Sequence, residues 1–259
     1  MTLAFPALLG RLEQRRVYTG AFERRDFVAT PANFCYKFEE VTVTTADGVD
    51  LFGWALPRDD SERWLVYFHG QGQDISHYLS VTTQLAGLGF NVLTLDYRGY
   101  GRSDGVPSEA GLYADASASY DYLLARDVPP ENIGLYGYSL GTGVAVDLAS
   151  QVEVGALVLE AAYTSLGAAA KSLYRILPSG LLRNRFESDL KIVNVTAPTL
   201  FVHASDDRLI PIAQGKRLFA LSKADKAFLE VVGGHTAMFA RPQQPALKKM
   251  KGFLEAHLH

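Results

Sequence analysis

The sequence predicts an α/β fold, in which a mostly parallel central sheet carries an N-terminal antiparallel hairpin and is covered by helices on both faces. Three observations predict it. The chain has 259 residues, of which 48% are hydrophobic, and this suits one large domain with a buried core. Short apolar runs alternate with helix-length segments, as is typical of parallel strands buried on both faces. One segment between two runs is too long for a simple connection and predicts an inserted cap.

The first two strands are predicted to form the hairpin. Val41 and Val43 alternate with threonines, the Asp47-Gly48 pair favours a tight turn, and residues 51–56 return. Six apolar runs predict the later strands: "WLVYFHG", "NVLTLDYRG", "NIGLYGYS", "ALVLEAAY", "TLFVHAS" and "AFLEVVGGH". Helices are expected between them, for example over 75–88, 108–125 and 212–221. Right-handed crossovers would place these helices on both faces of the sheet.

The predicted organisation is an N-terminal extension over 1–38 and one domain over 39–259, with a small helical cap inserted at about 163–197. An ordinary crossover helix with a long loop is the alternative for this insertion. Its apolar residues indicate an acyl pocket, although many of them must belong to the core instead. They are Leu166, Leu173, Ile176, Leu177, Leu181, Leu182 and Phe186.

Composition and the N-terminus bound the partners and the compartment. A net charge of −3 gives no basic footprint for nucleic acid. The single Cys35 cannot form an intrachain disulfide, and we expect it to be packed and inert. The apolar start resembles no signal peptide and is shorter than the about 20 residues that span a bilayer. Arg11, Arg15 and Arg16 follow this apolar start, and the pattern favours a helix docked on the domain. Peripheral membrane contact is the alternative. The expected compartment is the cytoplasm.

The stretch "LYGYSLGTGVA" places Ser139 between Gly137 and Gly141, after a predicted strand and before a predicted helix. A sharp strand-to-helix turn holds its corner residue in a strained conformation with the side chain above the sheet, and it requires small neighbours. The helix N-terminus adds partial positive charge at the reacting centre. Ser139 is therefore the predicted nucleophile.

A neutral serine needs a base that accepts its proton and an acid that orients the base. His235 follows the last predicted strand through Gly233 and Gly234, a turn that can bring an imidazole over the sheet, so it is the predicted base. Nucleophile, acid and base follow in this order along such chains. Three carboxylates lie at strand ends and stay open as the acid: Glu160, Asp206 and Asp207.

The oxyanion of an acyl-transfer intermediate needs backbone N–H donors. At this kind of turn, one donor is the residue after the nucleophile, here Leu140, and the other lies in the loop after an earlier strand. In "HGQGQ" that donor is expected to be Gln71. His69 of the same loop is expected to brace it by hydrogen bonding rather than to react.

Five motifs in this order resemble the α/β-hydrolase superfamily, from about Glu39 to the C-terminus: "FHGQGQD", "LDYRGYGRSDG", "GYSLG", "HASDDRLIP" and "GGH". They are similar to the serine-hydrolase branch of abhydrolase-domain proteins, which includes depalmitoylase-like enzymes. "DRLIP" resembles the acid loop of this branch, which implies Asp207 as the acid. One departure is Ala204, where the branch commonly has glycine. As a second, no transmembrane anchor is expected before the domain, although relatives often have one, which leaves open a shortened N-terminus or a soluble relative.

The expected function is a serine hydrolase that cleaves a small acyl ester or thioester through an acyl-enzyme on Ser139. No cofactor is expected, because Gly99, Gly101 and Gly105 lack the spacing of a dinucleotide loop. No metal is expected either, because no histidine or cysteine pair accompanies the acid loop. The alternatives are a peptidase of the same fold and a non-catalytic binding protein. The sequence indicates no oligomeric state.

Overall fold

A computed structural model of the chain describes residues 13–21, 27–173, 183–240 and 244–259. Eight strands form one sheet in the order β1-β2-β4-β3-β5-β6-β7-β8. The strands are β1 Glu39–Thr44, β2 Asp50–Leu56, β3 Trp64–Phe68, β4 Asn91–Leu95, β5 Ile133–Tyr138, β6 Ala156–Glu160, β7 Thr199–Ala204 and β8 Lys226–Val231. All eight apolar or alternating runs of the sequence are strands, which confirms the predicted α/β class.

The sheet is antiparallel only at its N-terminal edge. Strand β1 pairs with β2, and β2 with β4, in antiparallel directions, whereas the other five pairings are parallel. Gly48 turns the hairpin with a φ of 79°, a conformation that glycine adopts without strain. Along β1, buried and exposed residues alternate. In β3, β4, β5 and β6 every residue is buried. The two sequence patterns thus correspond to an edge strand and to central strands.

Helices lie between the strands as expected. They are α1 Leu79–Gly87, α2 Glu109–Leu124, α3 Leu140–Ala149, α4 Leu166–Leu173, α5 Ser188–Lys191, α6 Ile212–Leu221, α7 Ala237–Ala240 and α8 Gln244–His257. Successive strand residues join two different buried clusters, as Val92 and Leu93 of β4 do. Because strand side chains alternate between faces, the sheet has a core on each side. No described helix is long and apolar enough to cross a membrane.

The segment between β6 and β7 contains α4 and α5. Phe186, one of the residues predicted to line an acyl pocket, is fully buried and packs against Tyr113 with ring centroids 5.6 Å apart, so it belongs to the core. Ile176, Leu177, Leu181 and Leu182 lie outside the described residues. The boundaries of the cap and of the N-terminal extension therefore stay predictions.

Two expectations about the N-terminal part meet the structure differently. Residues 13–17 are helical and Val17 is buried, in agreement with a docked helix, while Arg15 and Arg16 are exposed and Arg11 lies outside the described residues. The prediction that Cys35 is packed is wrong, because its side chain is exposed. Its φ of 61° ends the short helix at Pro31–Phe34, and this turn directs the side chain to solvent.

Candidate active site

Ser139 lies at the corner between β5 and α3, where its φ is 52° and its ψ is −115°. An L-residue rarely adopts a positive φ, and this one holds the side chain above the end of the sheet. The two flanking glycines make the corner possible. A Cβ on Gly137 would stand 2.5 Å from the carbonyl oxygen of Gly141, and one on Gly141 would overlap the carbonyl oxygen of Phe68.

The structure brings Ser139, His235 and Asp207 together in one hydrogen-bonded row. The Nε2 atom of His235 lies 2.9 Å from the Ser139 hydroxyl, and its Nδ1 lies 2.8 Å from Oδ2 of Asp207. A carboxylate only accepts, so Nδ1 carries the proton that is donated to Asp207. Nε2 is then free to accept the serine proton, which is the arrangement that base catalysis by an imidazole requires.

Asp207 is held in place by its own loop. Its Oδ1 accepts the backbone N–H groups of Leu209 at 2.8 Å and Ile210 at 2.9 Å, and its side chain is buried. Burial by itself raises the pKa of Asp207. The hydrogen bond and charge of His235, together with the two N–H donors, outweigh burial and leave the pKa below its ordinary value. The carboxylate is therefore ionised and able to stabilise an imidazolium.

The neighbouring Asp206 faces the other way and is exposed. Its Oδ1 accepts the N–H groups of Gly233 at 2.9 Å and Gly234 at 3.0 Å, and these bonds lower its pKa. Both glycines have positive φ values, of 133° and 77°. Asp206 thus fastens the turn that carries His235 without touching the imidazole through a hydrogen bond.

Glu160, the third carboxylate at a strand end, has different partners. It accepts a 2.7 Å hydrogen bond from the Tyr136 hydroxyl, and the nearby backbone N–H of Met238 acts to lower its pKa. Burial raises the pKa of Glu160 to about 7. Among the described residues, the carboxylate that hydrogen-bonds His235 is that of Asp207.

The two predicted oxyanion donors lie at the start of α3 and in the loop that packs on it. That loop, residues 69–73, is called the oxyanion loop below. Among the described residues, neither the N–H of Leu140 nor that of Gln71 has a hydrogen-bond acceptor. Gly141 contacts the Phe68 and His69 carbonyl groups, which brings the oxyanion loop to the N-terminus of α3. Both donors are thus available for a ligand, and their role stays a prediction.

His69 braces the oxyanion loop from within. The Nδ1 atom of His69 lies 2.8 Å from the carbonyl oxygen of Gly70. The Tyr97 hydroxyl donates to the carbonyl oxygen of His69 at 3.1 Å. Burial lowers the pKa of His69 to about 4, so the ring is neutral at pH 7. Because it is enclosed and uncharged, His69 is suited to fixing the loop.

Comparison with known proteins assigns the family. The family model described as "Hydrolase_4: Serine aminopeptidase, S33" matches residues 59–192, just over half of the chain. The chain belongs to this α/β-hydrolase family. The uncharacterized protein Rv2307c of Mycobacterium tuberculosis is 39% identical over 201 residues, which cover 76% of this chain and 72% of that protein.

Two further similarities concern proteins whose names describe an activity. The lysophosphatidylserine lipase ABHD12 of Danio rerio is 34% identical over 198 residues, which cover 68% of this α/β-hydrolase and only half, 50%, of the relative. The Pyrococcus furiosus esterase Pf2001 superposes with a TM-score of 0.77 at 22% identity, over 92% of this chain and 97% of that one. At this identity the second similarity shows the fold alone. The first confirms the abhydrolase-domain branch that the motifs predict.

An aromatic wall beside Ser139 of this α/β-hydrolase is a feature that sequence reasoning missed. The Tyr138 ring lies with its centroid 5.4 Å from that of His235 and 6.1 Å from that of Tyr78. Burial raises the pKa of Tyr78 to about 12, although the nearby backbone N–H of Gly72 in the oxyanion loop acts to lower it. The position of Tyr138 next to Ser139 was the available signal, whereas nothing local marks Tyr78.

A further histidine of this α/β-hydrolase, His203, braces the loop that carries Asp207. The described residues contain no group of three or more His, Cys, Asp or Glu side chains that could hold an ion. His203 lies beside the acid loop, where its Nε2 donates to the carbonyl oxygen of Ile210 at 2.8 Å. Burial lowers the pKa of His203, which favours the neutral ring in this bracing role.

Proposed function

We propose that the chain is a serine hydrolase that cleaves carboxylic esters or thioesters through an acyl-enzyme on Ser139. The observation that carries the proposal is the row of two hydrogen bonds, 2.9 Å from Ser139 to His235 and 2.8 Å from His235 to Asp207. The position of Ser139 at a strand-to-helix corner, with a positive φ, supports the same chemistry.

In the proposed first step, the Ser139 oxygen attacks the acyl carbon while Nε2 of His235 takes the hydroxyl proton. The oxyanion that forms is stabilised by the N–H groups of Gln71 and Leu140 and by the N-terminal end of α3. His235 then gives its proton to the leaving alcohol or thiol. Water, deprotonated by the same imidazole, releases the acyl group and restores Ser139.

We propose an acyl lipid or another apolar acyl ester as the substrate class. The lipase name of the Danio rerio relative and the esterase name of the Pyrococcus furiosus fold neighbour support it. The word aminopeptidase in the family description makes an aminoacyl amide the competing substrate. Glu160, whose carboxyl is buried and bonded to Tyr136, is not presented to solvent for a substrate amine.

A fluorophosphonate probe tests the nucleophile. Wild type should be labelled under native conditions, and Ser139→Ala should lose both labelling and at least about 10⁴ of kcat/KM. Ser117→Ala is the matched control, because Ser117 is an exposed serine on α2. If wild type is folded and unlabelled, the binding-protein alternative replaces the enzyme.

A substrate panel tests the class. We expect turnover of p-nitrophenyl esters with short to medium acyl chains, and the panel adds acyl thioesters, monoacyl phospholipids and aminoacyl p-nitroanilides. The ratio of kcat/KM across these sets ranks esters against thioesters. Turnover confined to the aminoacyl amides would show that the substrate proposal is wrong while the nucleophile stands.

A further inference from the structure

Residues 13–20 of the N-terminal part are held against the segment between β6 and β7 and against the oxyanion loop. Tyr18 is fully buried, and its hydroxyl donates to Oδ1 of Asn184 at 2.8 Å. The Glu13 carboxylate accepts the Asn184 backbone N–H at 2.8 Å and its side-chain amide at 2.9 Å. Glu13 and Tyr18 therefore fix this part of the chain to Asn184, in the segment between β6 and β7.

The next two residues bind the oxyanion loop directly. The carbonyl oxygen of Gln71 accepts the N–H of Gly20 at 2.9 Å, the hydroxyl of Thr19 at 3.2 Å and the hydroxyl of Tyr100 at 3.0 Å. A carbonyl oxygen has two lone pairs, so three donors use its full accepting capacity. They hold the backbone of Gln71 at its carbonyl group.

Gly20 lies on the backbone of the oxyanion loop without room for a side chain. A Cβ at this position would stand 2.5 Å from the Gln73 nitrogen and 2.6 Å from the Gly72 carbonyl carbon. Such distances to backbone atoms would force one of the two segments to move. The loop and residues 18–20 are thus in contact along their main chains.

We infer that Thr19 and Gly20 are positioning residues, which hold the oxyanion loop so that the Gln71 N–H points at the developing oxyanion. The inference rests on the proposed function. It extends that function to Thr19, which precedes Ser139 by 120 positions in the sequence. An oxyanion donor acts only if it is aimed before the reaction, and the loss of one donor lowers kcat by about 10²–10³. A displaced donor should give part of that loss.

Two variants test the inference with a p-nitrophenyl ester. Gly20→Ala should lower kcat by about 10- to 100-fold, and Thr19→Val by a smaller factor, with KM nearly unchanged. A trifluoromethyl ketone, which forms a tetrahedral oxyanion on Ser139, should lose affinity in proportion to kcat/KM. Thr44→Val is the matched control, because the exposed Thr44 hydroxyl bonds Asp50 in the edge hairpin. It should leave both readouts unchanged.

If Gly20→Ala does not fold, the Thr19→Val and Tyr100→Phe double variant decides, because it removes two donors and keeps the buried ring. Folded variants with wild-type kcat and wild-type ketone affinity would overturn the inference, as would a loss confined to KM. Failure of the proposed function is distinguishable, since Ser139→Ala would then retain the activity of wild type.

Discussion

At the scale of single residues, two adjacent aspartates have separate tasks. Asp207 points inward to the imidazole of His235, and Asp206 points outward to the N–H groups of Gly233 and Gly234. Both therefore act on the same histidine, one by orienting its ring and the other by fastening the turn before it. A matched pair of substitutions separates these tasks.

Asp207→Asn should lower kcat by about 10³–10⁴, because an amide can stabilise the wrong tautomer of His235 and no imidazolium. Asp206→Asn should stay within about tenfold of wild type, since its amide oxygen can still accept the two glycine N–H groups. Steady-state kinetics on variants that are folded by circular dichroism checks both. If Glu160→Gln is the crippled variant and Asp207→Asn stays active, the acid has been assigned to the wrong strand.

Much of this candidate site is readable from the sequence, because each of its predicted residues follows an apolar run and parallel strands end at one edge of the sheet. Strand-end position selected Ser139 and His235, and the resemblance of "DRLIP" to the acid loop of the branch selected Asp207 among three carboxylates. The structure brings Ser139, Asp207 and His235 together. The role of Thr19 was not predicted. Its bond to Gln71 joins residues 52 apart in sequence, and such a contact leaves no local pattern.

At the scale of elements, the corner between β5 and α3 depends on the close approach of α3 to the end of β3. Gly141 is in contact with the Phe68 carbonyl group and has no space for a methyl group. Backbone atoms cannot move aside as a flexible side chain can. The strand-to-helix packing and the orientation of the Leu140 N–H should therefore fail together.

Gly141→Ala should lower the free energy of unfolding by at least about 2 kcal/mol and abolish most activity, because strand and helix must separate. Gly252→Ala is the control, since Gly252 lies in α8 with open space around its Cβ position. It should raise stability by about 0.5–1 kcal/mol through helix propensity. Urea denaturation measures both; a Gly141→Ala variant as stable as wild type would contradict this account of the corner.

Strands were the most predictable elements, since buried parallel strands must be continuous apolar runs. The helix over Leu166–Leu173 agrees with its leucine spacing. Cys35 was predicted wrongly, because the left-handed turn at Cys35 depends on the short helix before it, which "PANF" does not signal by periodicity. Local turn geometry, rather than hydrophobicity, decides where that thiol points.

At the scale of the whole molecule, one buried acid links folding to pH. Glu160 is buried at the end of β6 and is hydrogen-bonded to Tyr136 of the neighbouring strand β5. Burial raises its pKa from an ordinary 4.5 to about 7. Between these two pH values the folded chain keeps a proton that the unfolded chain has lost. The free energy of unfolding therefore falls as the pH rises.

The free energy of unfolding should accordingly contain a contribution that is full below about pH 4.5 and is lost as the pH rises to about 7, by roughly 3 kcal/mol at most. Glu160→Gln cannot titrate at this position, so its free energy of unfolding should lack this dependence on pH. Urea denaturation of both proteins at several values between pH 4.5 and 8 measures it. A constant difference between wild type and Glu160→Gln across this range would show that Glu160 does not titrate there.

The backbone of Ser139 finally implies that the fold would be more stable without a side chain at this position. Its φ of 52° disfavours any residue with a Cβ, whereas glycine is tolerated there. At ordinary helix or strand positions, alanine is more stable than glycine by about 0.5–1 kcal/mol. We expect the reverse order here, with Ser139→Gly melting above Ser139→Ala although both lack the hydroxyl. Selection for heat resistance alone would thus favour the loss of activity, and only a requirement for turnover would retain the serine.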